Sequence, residues 1–413
     1  MDLSSISKAL DDSAVGHTKK GVLPSPSSHF EDNQMASSSS ALKSFLDHIS
    51  IDSIINFLDF PVMELKHDDC VKDAIRSFYE RNLFGAPIIH SVSSDRGDYI
   101  DRDIGFIGFS SMALWSLEEI DRACADSKSG NHGFLSMLDQ VSQIGQTKIG
   151  ELAKFFLWEP FFPVNPSDTL LQVLLLFSKH NTLKVVPVVE SSNSHVVGFI
   201  TQLLLRSCGV EWFDGIVNRT ISEVGFEKKG SAVYMFGDET VADALHILWE
   251  KHIDVIPVVD RMRKTLIGTV RSSDIYLLFE DDDLYHNRKS FSVGDFINSY
   301  SRRTKQDSDS SIKPPVSLPL KNHLLPPMDS PKTVQSSDSL KKVMQEMLRS
   351  NSECSFWVTE SGQLRSAITL RDIMSQFSPP CMDATIDGGG FFQSALEQAG
   401  CRVEHGVMVH SGH

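Results

Sequence analysis

The chain has 413 residues, of which 41% are hydrophobic, and its 54 acidic residues exceed its 39 lysines and arginines to give a net charge of −15 at pH 7. This composition is typical of a globular, acidic chain of roughly two to four domains. It argues against binding to nucleic acid, because a phosphate backbone demands clustered Lys and Arg, and the basic clusters here, 261–264 and 302–305, are short.

Nothing in the sequence indicates a membrane segment or an export signal. The longest apolar stretch, 170–177, contains Gln172 and falls well short of the roughly 20 residues that span a bilayer. The first ten residues match neither a signal peptide nor a transit peptide, and the six cysteines are far apart, without a C-x-x-C pair. We therefore expect reduced thiols, no bound metal, no membrane contact, and a location in the cytoplasm, the nucleus or both.

Three segments are predicted to be weakly ordered. Residues 1–45 are rich in serine and poor in large apolar groups, which predicts a disordered tail. Residues 299–330 contain five prolines and predict a flexible, exposed linker. Residues 379–413, which include Gly388–Gly390, are expected to form a loosely ordered tail.

Between the tails, one pattern occurs four times along the chain. Each copy begins with apolar residues at positions i, i+3, i+4 and i+7, which predict one face of an amphipathic helix. The four stripes are Val71, Ala74, Ile75, Phe78; Leu170, Val173, Leu174, Phe177; Val241, Ala244, Leu245, Leu248; and Leu340, Val343, Met344, Met347. A polar turn that could cap the helix precedes each stripe: Asp68–Asp69, Ser167–Asp168, Asp238–Glu239 and Ser337–Asp338.

Two short strands and a second helix follow each stripe. The first strands start at Pro87, Pro187, Pro257 and Phe356, and the second strands are 104–107, 197–200, 267–270 and 366–369. The starts of the first strands are separated by 187 − 87 = 100, 257 − 187 = 70 and 356 − 257 = 99 residues, so the four units form two similar halves. A unit of this size leaves an apolar face exposed, and pairing with another unit would bury that face.

The helix stripe, the P-[IV]-[IV] strand and the later G-x-[IV]-x-x-x-D-[IL] turn resemble the cystathionine β-synthase (CBS) domain. The resemblance covers residues 55–378 and implies an α/β fold of four tandem CBS units, which form two Bateman modules in a disc-like arrangement. The implied units are 55–122, 148–211, 220–282 and, for the core of the fourth, 331–378.

Four such units without an attached enzyme or membrane domain resemble the γ regulatory subunit of AMP-activated and sucrose-non-fermenting-type protein kinases, and residues 99–107 and 211–225 are similar to its plant form. The resemblance implies a non-catalytic subunit that binds a kinase catalytic (α) subunit and a β subunit and acts in energy and carbohydrate signalling. The resemblance also implies that the subunit requires no cofactor and that AMP, ADP or ATP are its regulatory ligands. Two alternatives stay open: a scaffold that has lost ligand sensing, and a free-standing CBS sensor of an adenosine ligand.

In that family, adenine nucleotides lie in clefts between paired units. A carboxylate at a helix start, six residues after the strand glycine, can accept hydrogen bonds from both ribose hydroxyls; the residues at this position are Asp274 in unit 3 and Asp372 in unit 4. The resemblance adds Thr201 and Thr369 as hydroxyl donors and Lys184, Arg271 and Arg371 as phosphate-binding cations. For both acids, a purely structural role at the positive end of a helix dipole is an equal alternative.

The sequence also departs from the family pattern. The ribose position is Ser111 in unit 1 and Leu204 in unit 2. Three residues before the strand proline, where the family has cations, stand Phe84, Lys184, Asp254 and Glu353. A phosphate facing Asp254 or Glu353 would be repelled. No phosphate-loop, H-E-x-x-H or G-x-S-x-G motif occurs, so we predict no catalytic residue.

Overall fold

The computed structural model describes sixteen parts of the chain. They are residues 47–55, 63–90, 99–100, 106–124, 133–155, 162–180, 183, 185–190, 196–201, 216–226, 233–306, 320–321, 327–350, 352–377, 401–404 and 407–410. The predicted disordered tail, 1–45, lies outside these ranges. Among the described residues, no helix combines the length and the apolar character needed to cross a lipid bilayer.

The first half of the chain holds units 1 and 2. Its elements are α1 (Asp52–Ile55), β1 (Leu65–Lys66), α2 (Val71–Arg81), β2 (Gly85–His90), β3 (Tyr99–Ile100), β4 (Phe106–Gly108), α3 (Phe109–Ala123), α4 (Phe134–Gln140), α5 (Ser142–Gly145), α6 (Ile149–Phe155), α7 (Leu170–Lys179), β5 (Val185–Val189) and β6 (Val196–Thr201). The order of helix, strand, strand and helix is complete in unit 1.

The second half holds units 3 and 4. A 3-10 turn (Ile216–Asn218) leads to α8 (Ile221–Val224), β7 (Met235–Phe236), α9 (Val241–Glu250), β8 (Val255–Val259), β9 (Leu266–Arg271), a 3-10 helix (Ser272–Tyr276), α10 (Leu277–Glu280), α11 (Asp282–Asn287), α12 (Val293–Gln306), β10 (Thr333–Val334), α13 (Leu340–Arg349), β11 (Cys354–Val358), β12 (Leu364–Thr369), α14 (Leu370–Phe377), β13 (Cys401–Glu404) and β14 (Val407–His410).

The apolar stripes form the buried faces of the four main helices. In α2 the buried residues include Val71, Ala74, Ile75 and Phe78. Helices α7, α9 and α13 bury their equivalent residues. The predicted helices and the repeat itself are therefore confirmed.

The polar turns before these helices act differently from the prediction. The N-cap is in each case the next residue, namely Cys70, Thr169, Thr240 and Ser339. The last acid of each turn instead accepts a hydrogen bond from a backbone N–H three residues earlier, and these acids are Asp69, Asp168, Glu239 and Asp338. The predicted caps were wrong by one residue, because these carboxylates close the turn that leads into the helix.

Each unit builds a small mixed sheet. A parallel strand pairs with the first strand of the hairpin, as β1 with β2, β7 with β8 and β10 with β11, and in unit 2 a single bridge between Val164 and Val188 takes this place. The antiparallel hairpins are β2 with β4, β5 with β6, β8 with β9, and β11 with β12.

Within each half, the two units meet at their sheets. Phe106 of β4 contacts Phe199 of β6 edge to face, with ring centroids 5.5 Å apart. In the second half the hairpins touch, since Leu266 donates its N–H to the carbonyl of Gly362 at 3.1 Å. These contacts confirm the predicted pairing of units 1 with 2 and 3 with 4 into two modules, called module 1 and module 2 below.

The helices join the two modules to each other. One apolar core contains residues of units 1 and 3, and a second core contains residues of units 2 and 4. In the first core, the Phe279 ring of unit 3 lies 5.2 Å from Phe109 and 4.8 Å from Phe134, both between centroids. Every unit thus contacts one neighbour through its sheet and another through its helices, so the four units close into the predicted disc-like arrangement.

Short backbone segments are exchanged between the two units of a module. The segment before each unit pairs with the residues that start the main helix of the other unit in its module. The hydrogen-bonded pairs are Ile51 with Asp168, Val71 with Thr147, Ile221 with Asp338, and Val293 with Glu239, at 2.8–3.0 Å. The exchange is reciprocal and interlocks the two units.

The predicted linker, 299–330, differs from the structure at both ends. Helix α12 runs to Gln306 because its buried residues Phe296, Ile297 and Tyr300 carry the helical pattern past residue 299. Met328 is also buried, and its carbonyl accepts a hydrogen bond from the N–H of Thr269 at 2.9 Å.

Further differences lie in the predicted C-terminal tail, 379–413. Residues 401–404 and 407–410 form an antiparallel hairpin of β13 and β14. Residues 379–400 lie outside the described ranges.

Leu320 and Lys321, from the predicted linker, bridge the two modules. Asn82 of unit 1 accepts two hydrogen bonds, one from the N–H of Leu320 to its carbonyl at 3.2 Å and one from the N–H of Lys321 to its side-chain oxygen at 2.7 Å. The Lys321 ammonium reaches Glu280 of unit 3 at 2.6 Å and lies 4.4 Å from the centre of the Tyr79 ring. The connection between units 3 and 4 is therefore anchored on unit 1.

A charged cluster also ties the modules together. The guanidinium of Arg288, a residue that is 5% exposed, donates to Asp121 of α3 at 2.6 Å and to the carbonyl of Tyr285 at 2.5 Å. Lys289 lies 2.8 Å from the same carboxylate of Asp121. Asp121 thus holds two cations of the other module.

We expect Asp121→Asn to destabilise the protein, because it removes the carboxylate partner of a buried guanidinium. The expected loss in free energy of unfolding is about 1.5–3 kcal/mol, measured by urea unfolding followed by circular dichroism. The matched control is Glu119→Gln on the same helix, where the partner Arg122 is exposed; it should cost less than about 1 kcal/mol. Equal losses in the two variants would contradict a linking role for Asp121.

Candidate ligand site at the helix starts

The candidate ribose-binding acids both lie where a hairpin runs into a helix. Asp274 is 7% exposed, and its Oδ2 accepts a hydrogen bond from the N–H of Arg271 at 2.8 Å. The Nε of Arg271 is 3.8 Å from the same oxygen. The carboxylate therefore sits over the N-terminus of the 3-10 helix, as an N3 acid of a capping arrangement does.

Asp372 repeats this geometry in unit 4. It is 9% exposed, and its Oδ2 accepts hydrogen bonds from the N–H of Thr369 at 2.9 Å and from its hydroxyl at 2.8 Å. The N–H of Asp372 donates back to the Thr369 hydroxyl at 3.2 Å. Thr369, predicted as a ligand donor, is thus occupied with holding Asp372. For both acids the hydrogen bonds to the helix start use Oδ2, and a ribose would use the remaining acceptor capacity of the carboxylate.

Burial raises the pKa of Asp274 above its usual value. The charge of Arg271 and the hydrogen bond from its N–H act in the opposite direction. A carboxyl group that is costly to ionise, and that lies at a helix start, is typical of a binding position as well as of a structural one.

In three units, the residue three positions before the predicted start of the first strand occupies the same place in the fold. The carbonyls of Phe84, Asp254 and Glu353 each accept a hydrogen bond from the N–H at a helix start, at 2.7, 2.8 and 2.9 Å. Asp254 also accepts a hydrogen bond from the Ser272 hydroxyl at 3.1 Å. The carboxylate of Asp254 therefore lies at the start of the 3-10 helix that carries Asp274, whereas the exposed Glu353 contacts the start of α14 through its carbonyl.

The remaining candidates are distributed over other parts of the fold. Thr201 is half-buried at the end of β6, opposite Val185, whereas Lys184 and Leu204 lie outside the described residues. Arg371 is in α14, and its Nε is buried without a hydrogen-bond partner among the described residues.

Arg371 faces unit 2 across the contact between α14 and α7. The pKa of His180, at the end of α7, is lowered by burial and by the charges of Lys179 and Arg371. Three basic side chains thus collect where units 2 and 4 meet. Sequence spacing could not predict this cluster, because Lys179 and Arg371 come from different modules.

Sequence reasoning also missed Tyr276 and Cys354. Burial raises the pKa of Tyr276, and the nearby charges of Asp274 and Glu280 raise it further. Cys354 is a buried thiol next to Glu353. Tyr276 lies two residues after Asp274 in the same 3-10 helix, whereas only the contact between the two hairpins brings Cys354 close to Arg271.

Comparisons with known proteins agree with this architecture. A family profile for the CBS domain matches residues 150–205 and 324–378. A solved protein from Methanocaldococcus jannaschii, likened to g-AMPK, has the same fold with a TM-score of 0.51 at 14% identity, over 79% of this chain and 99% of that one. The chain therefore contains CBS domains at residues 150–205 and 324–378, and its fold resembles that of the solved protein.

The curated relatives are more specific. The chain is 24% identical over 346 residues to SNF1-related protein kinase regulatory subunit gamma-1 of Arabidopsis thaliana, covering 76% of this chain and 78% of the relative. It is 22% identical over 304 residues to the gamma-1-like subunit of the same plant, covering 57% and 68%. The resemblance to the γ subunits of SNF1-related kinases predicted from the motifs is thereby confirmed.

We expect Asp274→Asn to stabilise the protein increasingly as the pH rises. The folded-state pKa of Asp274 is raised, so its stabilising contribution is present below the unfolded-state pKa and is lost as the pH rises through the folded-state value. The free energy of unfolding of the variant should therefore rise relative to that of the wild type between about pH 4 and pH 7. Urea unfolding across this range measures the difference.

Asp283→Asn removes one exposed carboxylate from α11 and serves as the control for net charge. A difference between Asp274→Asn and the wild type that does not change with pH would contradict the burial of a carboxylate at this position.

Proposed function

We propose that this chain is a non-catalytic γ-type regulatory subunit of a heterotrimeric SNF1-related serine/threonine protein kinase. In this role it binds a kinase catalytic (α) subunit and a β subunit, senses adenine nucleotides and acts in energy and carbohydrate signalling in the cytoplasm, the nucleus or both. The observation that supports the proposal best is the coverage of the relative: the match to the Arabidopsis γ subunit extends over 76% of this chain and 78% of that one.

The ligands proposed are AMP, ADP or ATP, held near Asp274 and Asp372. In this proposal the two acids accept hydrogen bonds from the ribose hydroxyls, Thr201 contributes a hydroxyl group, Thr369 contributes through its hydroxyl by holding Asp372, and Lys184, Arg271 and Arg371 face the phosphates. Two features support it: both acids are buried at helix starts, and Arg371 lies in a basic cluster with a buried nitrogen that has no hydrogen-bond partner among the described residues.

Regulation would follow from the position of these helix starts. Arg271 and Asp274 lie near the contact of units 3 and 4, while Arg371 lies at the contact of units 2 and 4. A ligand that binds one arrangement of these contacts better than another shifts the population toward it. The outer surface, which the kinase subunits would contact, would change with it.

A scaffold without ligand sensing is the second candidate. It is favoured by Asp254 and Glu353, which place carboxylates where the family resemblance implies cations, and by Leu204 at the ribose position of unit 2. A scaffold of this kind would bind the kinase subunits but no nucleotide. Separate experiments therefore test the kinase partners and the nucleotide ligands.

Co-expression with SNF1-related kinase catalytic and β subunits tests the partner assignment. We expect the three chains to co-purify as a 1:1:1 complex through affinity and size-exclusion chromatography. The Asp372→Asn variant should enter the same complex, because Asp372 is buried and away from the surface. Isolation of this chain alone, from cells in which the α and β subunits assemble with each other, would refute a γ-type role.

Calorimetric titration of Arg371→Met with AMP tests the nucleotide assignment. We expect AMP to bind about tenfold more weakly than to the wild type, because a charged hydrogen-bond partner of the phosphate is lost. Arg365→Met, at an exposed position of β12 in the same unit, should leave the affinity unchanged. Equal AMP affinities for Arg371→Met and the wild type would remove Arg371 from the site.

A further inference from the structure

The connection between units 3 and 4 contacts the end of α2 in unit 1 through two adjacent residues. Leu320 is 2% exposed and belongs to the apolar core that units 1 and 3 share. The N–H groups of Leu320 and Lys321 donate to the carbonyl and to the side-chain oxygen of Asn82, at 3.2 and 2.7 Å. Asn82 ends α2 with a φ of 55°, in the left-handed region that asparagine tolerates. The connection is therefore fixed here by main-chain hydrogen bonds as well as by a buried side chain.

The ammonium group of Lys321 lies in a slot between units 1 and 3. It is 2.6 Å from Oε1 of Glu280 in α10, and it lies over the rings of Tyr79 and Tyr276, at 4.4 and 5.6 Å from their centroids. A cation in such a place is held by a charged hydrogen bond and by attraction to two aromatic faces. We call the place formed by Tyr79, Tyr276 and Glu280 the lysine slot.

Two members of the lysine slot belong to the segment that carries Asp274. The 3-10 helix Ser272–Tyr276 continues without a gap into α10, Leu277–Glu280. Asp274 is thus followed two residues later by Tyr276 and six residues later by Glu280. Burial raises the pKa of Tyr276, and the charges of Asp274 and Glu280 raise it further, which is consistent with short distances from the phenol to both acids.

The third member, Tyr79, is also held by contacts that do not involve the connection. Its ring stacks on Phe279 of α10, with centroids 5.3 Å apart and an angle of 23° between the ring planes. Phe279 in turn contacts Phe109 and Phe134 of unit 1. The contact between units 1 and 3 therefore does not depend on Lys321 alone, and a substitution of this lysine should leave the fold intact.

We propose that Lys321 is a positioning residue for the ligand site at Asp274. By holding Glu280 and Tyr276, it fixes the segment 272–280 against unit 1, and the carboxylate at the start of this segment then has one orientation toward a ribose. The proposal rests on the function proposed above, which places an adenine nucleotide at Asp274. Because coupling between two binding events is reciprocal, a nucleotide at Asp274 strengthens the docking of the connection in return.

Calorimetric titration of the full chain with AMP tests the effect on the ligand. The Asp372→Asn background removes the acid of the other site, so that the heat reports on Asp274. In this background we expect Lys321→Met to weaken AMP binding about fivefold or more. Lys321→Arg keeps a cation over the rings and should hold the affinity within about twofold. The matched control is Lys342→Met, whose exposed ammonium pairs with Asp338 in unit 4; it should leave the affinity unchanged.

A double-mutant cycle tests whether the effect passes through Glu280. Glu280→Gln alone should weaken AMP binding by a factor similar to that of Lys321→Met, because each variant breaks the same charged hydrogen bond. The two substitutions together should weaken binding little more than either one does. Losses that multiply in the double variant would contradict a shared path.

Hydrogen exchange followed by mass spectrometry examines the same contact without nucleotide. The N–H groups of 272–280 should exchange about fivefold faster in Lys321→Met than in the wild type, whereas those of α9 should exchange at the same rate and so confirm an intact fold. In the wild type, saturating AMP should slow the exchange of the N–H groups of Leu320 and Lys321, which lie in the docked connection.

Two results overturn the inference. One is equal AMP affinity with Lys321 and with Met at this position, and the other is equal exchange of 272–280 in the two proteins. Absence of any heat with AMP in the wild type would refute the nucleotide part of the proposed function, and hydrogen exchange would then decide by itself whether Lys321 fixes the segment. Co-purification with the α and β subunits is measured without ligand and bears on the kinase partners alone.

Discussion

The burial of two different apolar faces on every unit is the constraint that shapes this protein. A unit has one sheet and one helical stripe, and neither can be covered from within about 60 residues. The sheets of units 1 and 2 therefore meet at Phe106 and Phe199, while the helices of units 1 and 3 share an apolar core. Because the sheet and the helical stripe of a unit pack against different units, the four units form a closed arrangement. Each unit then contacts both modules.

The closed arrangement of the four units also determines where the candidate site residues lie. The hairpins of units 3 and 4 each end at a helix start, and the acids at these starts, Asp274 and Asp372, are buried. The residues that surround them then differ according to the neighbour. Asp274 lies beside Arg271, whose charge also reaches Cys354 of unit 4, whereas Arg371 lies near the basic end of α7. One repeated backbone thus places the arginines of two equivalent helix starts beside different neighbours.

The periodic features of the fold could be predicted from the sequence, and the features that depend on long-range packing could not. The stripe of Val71, Ala74, Ile75 and Phe78 specifies a buried helix face by spacing alone. The N-caps were misplaced by one residue because Asp69 and its equivalents resemble caps but bond backward to the turn. The prolines of 299–330 suggested an exposed linker, yet Met328 is buried against β9. At the site, Asp274 was found by its offset from Gly268, whereas the proximity of Arg271 to Cys354 depends on how two hairpins meet.

The reciprocal exchange of segments affects how the chain folds during its synthesis on the ribosome. Ile51 finds its partner only when Asp168 has emerged, and Ile221 must wait for Asp338. Neither module can therefore be completed while its second unit is still being synthesised, and contacts this distant in sequence form slowly. The nascent chain holds the sheet face of its first unit uncovered for the whole of this interval, a state in which chaperones bind exposed apolar surface.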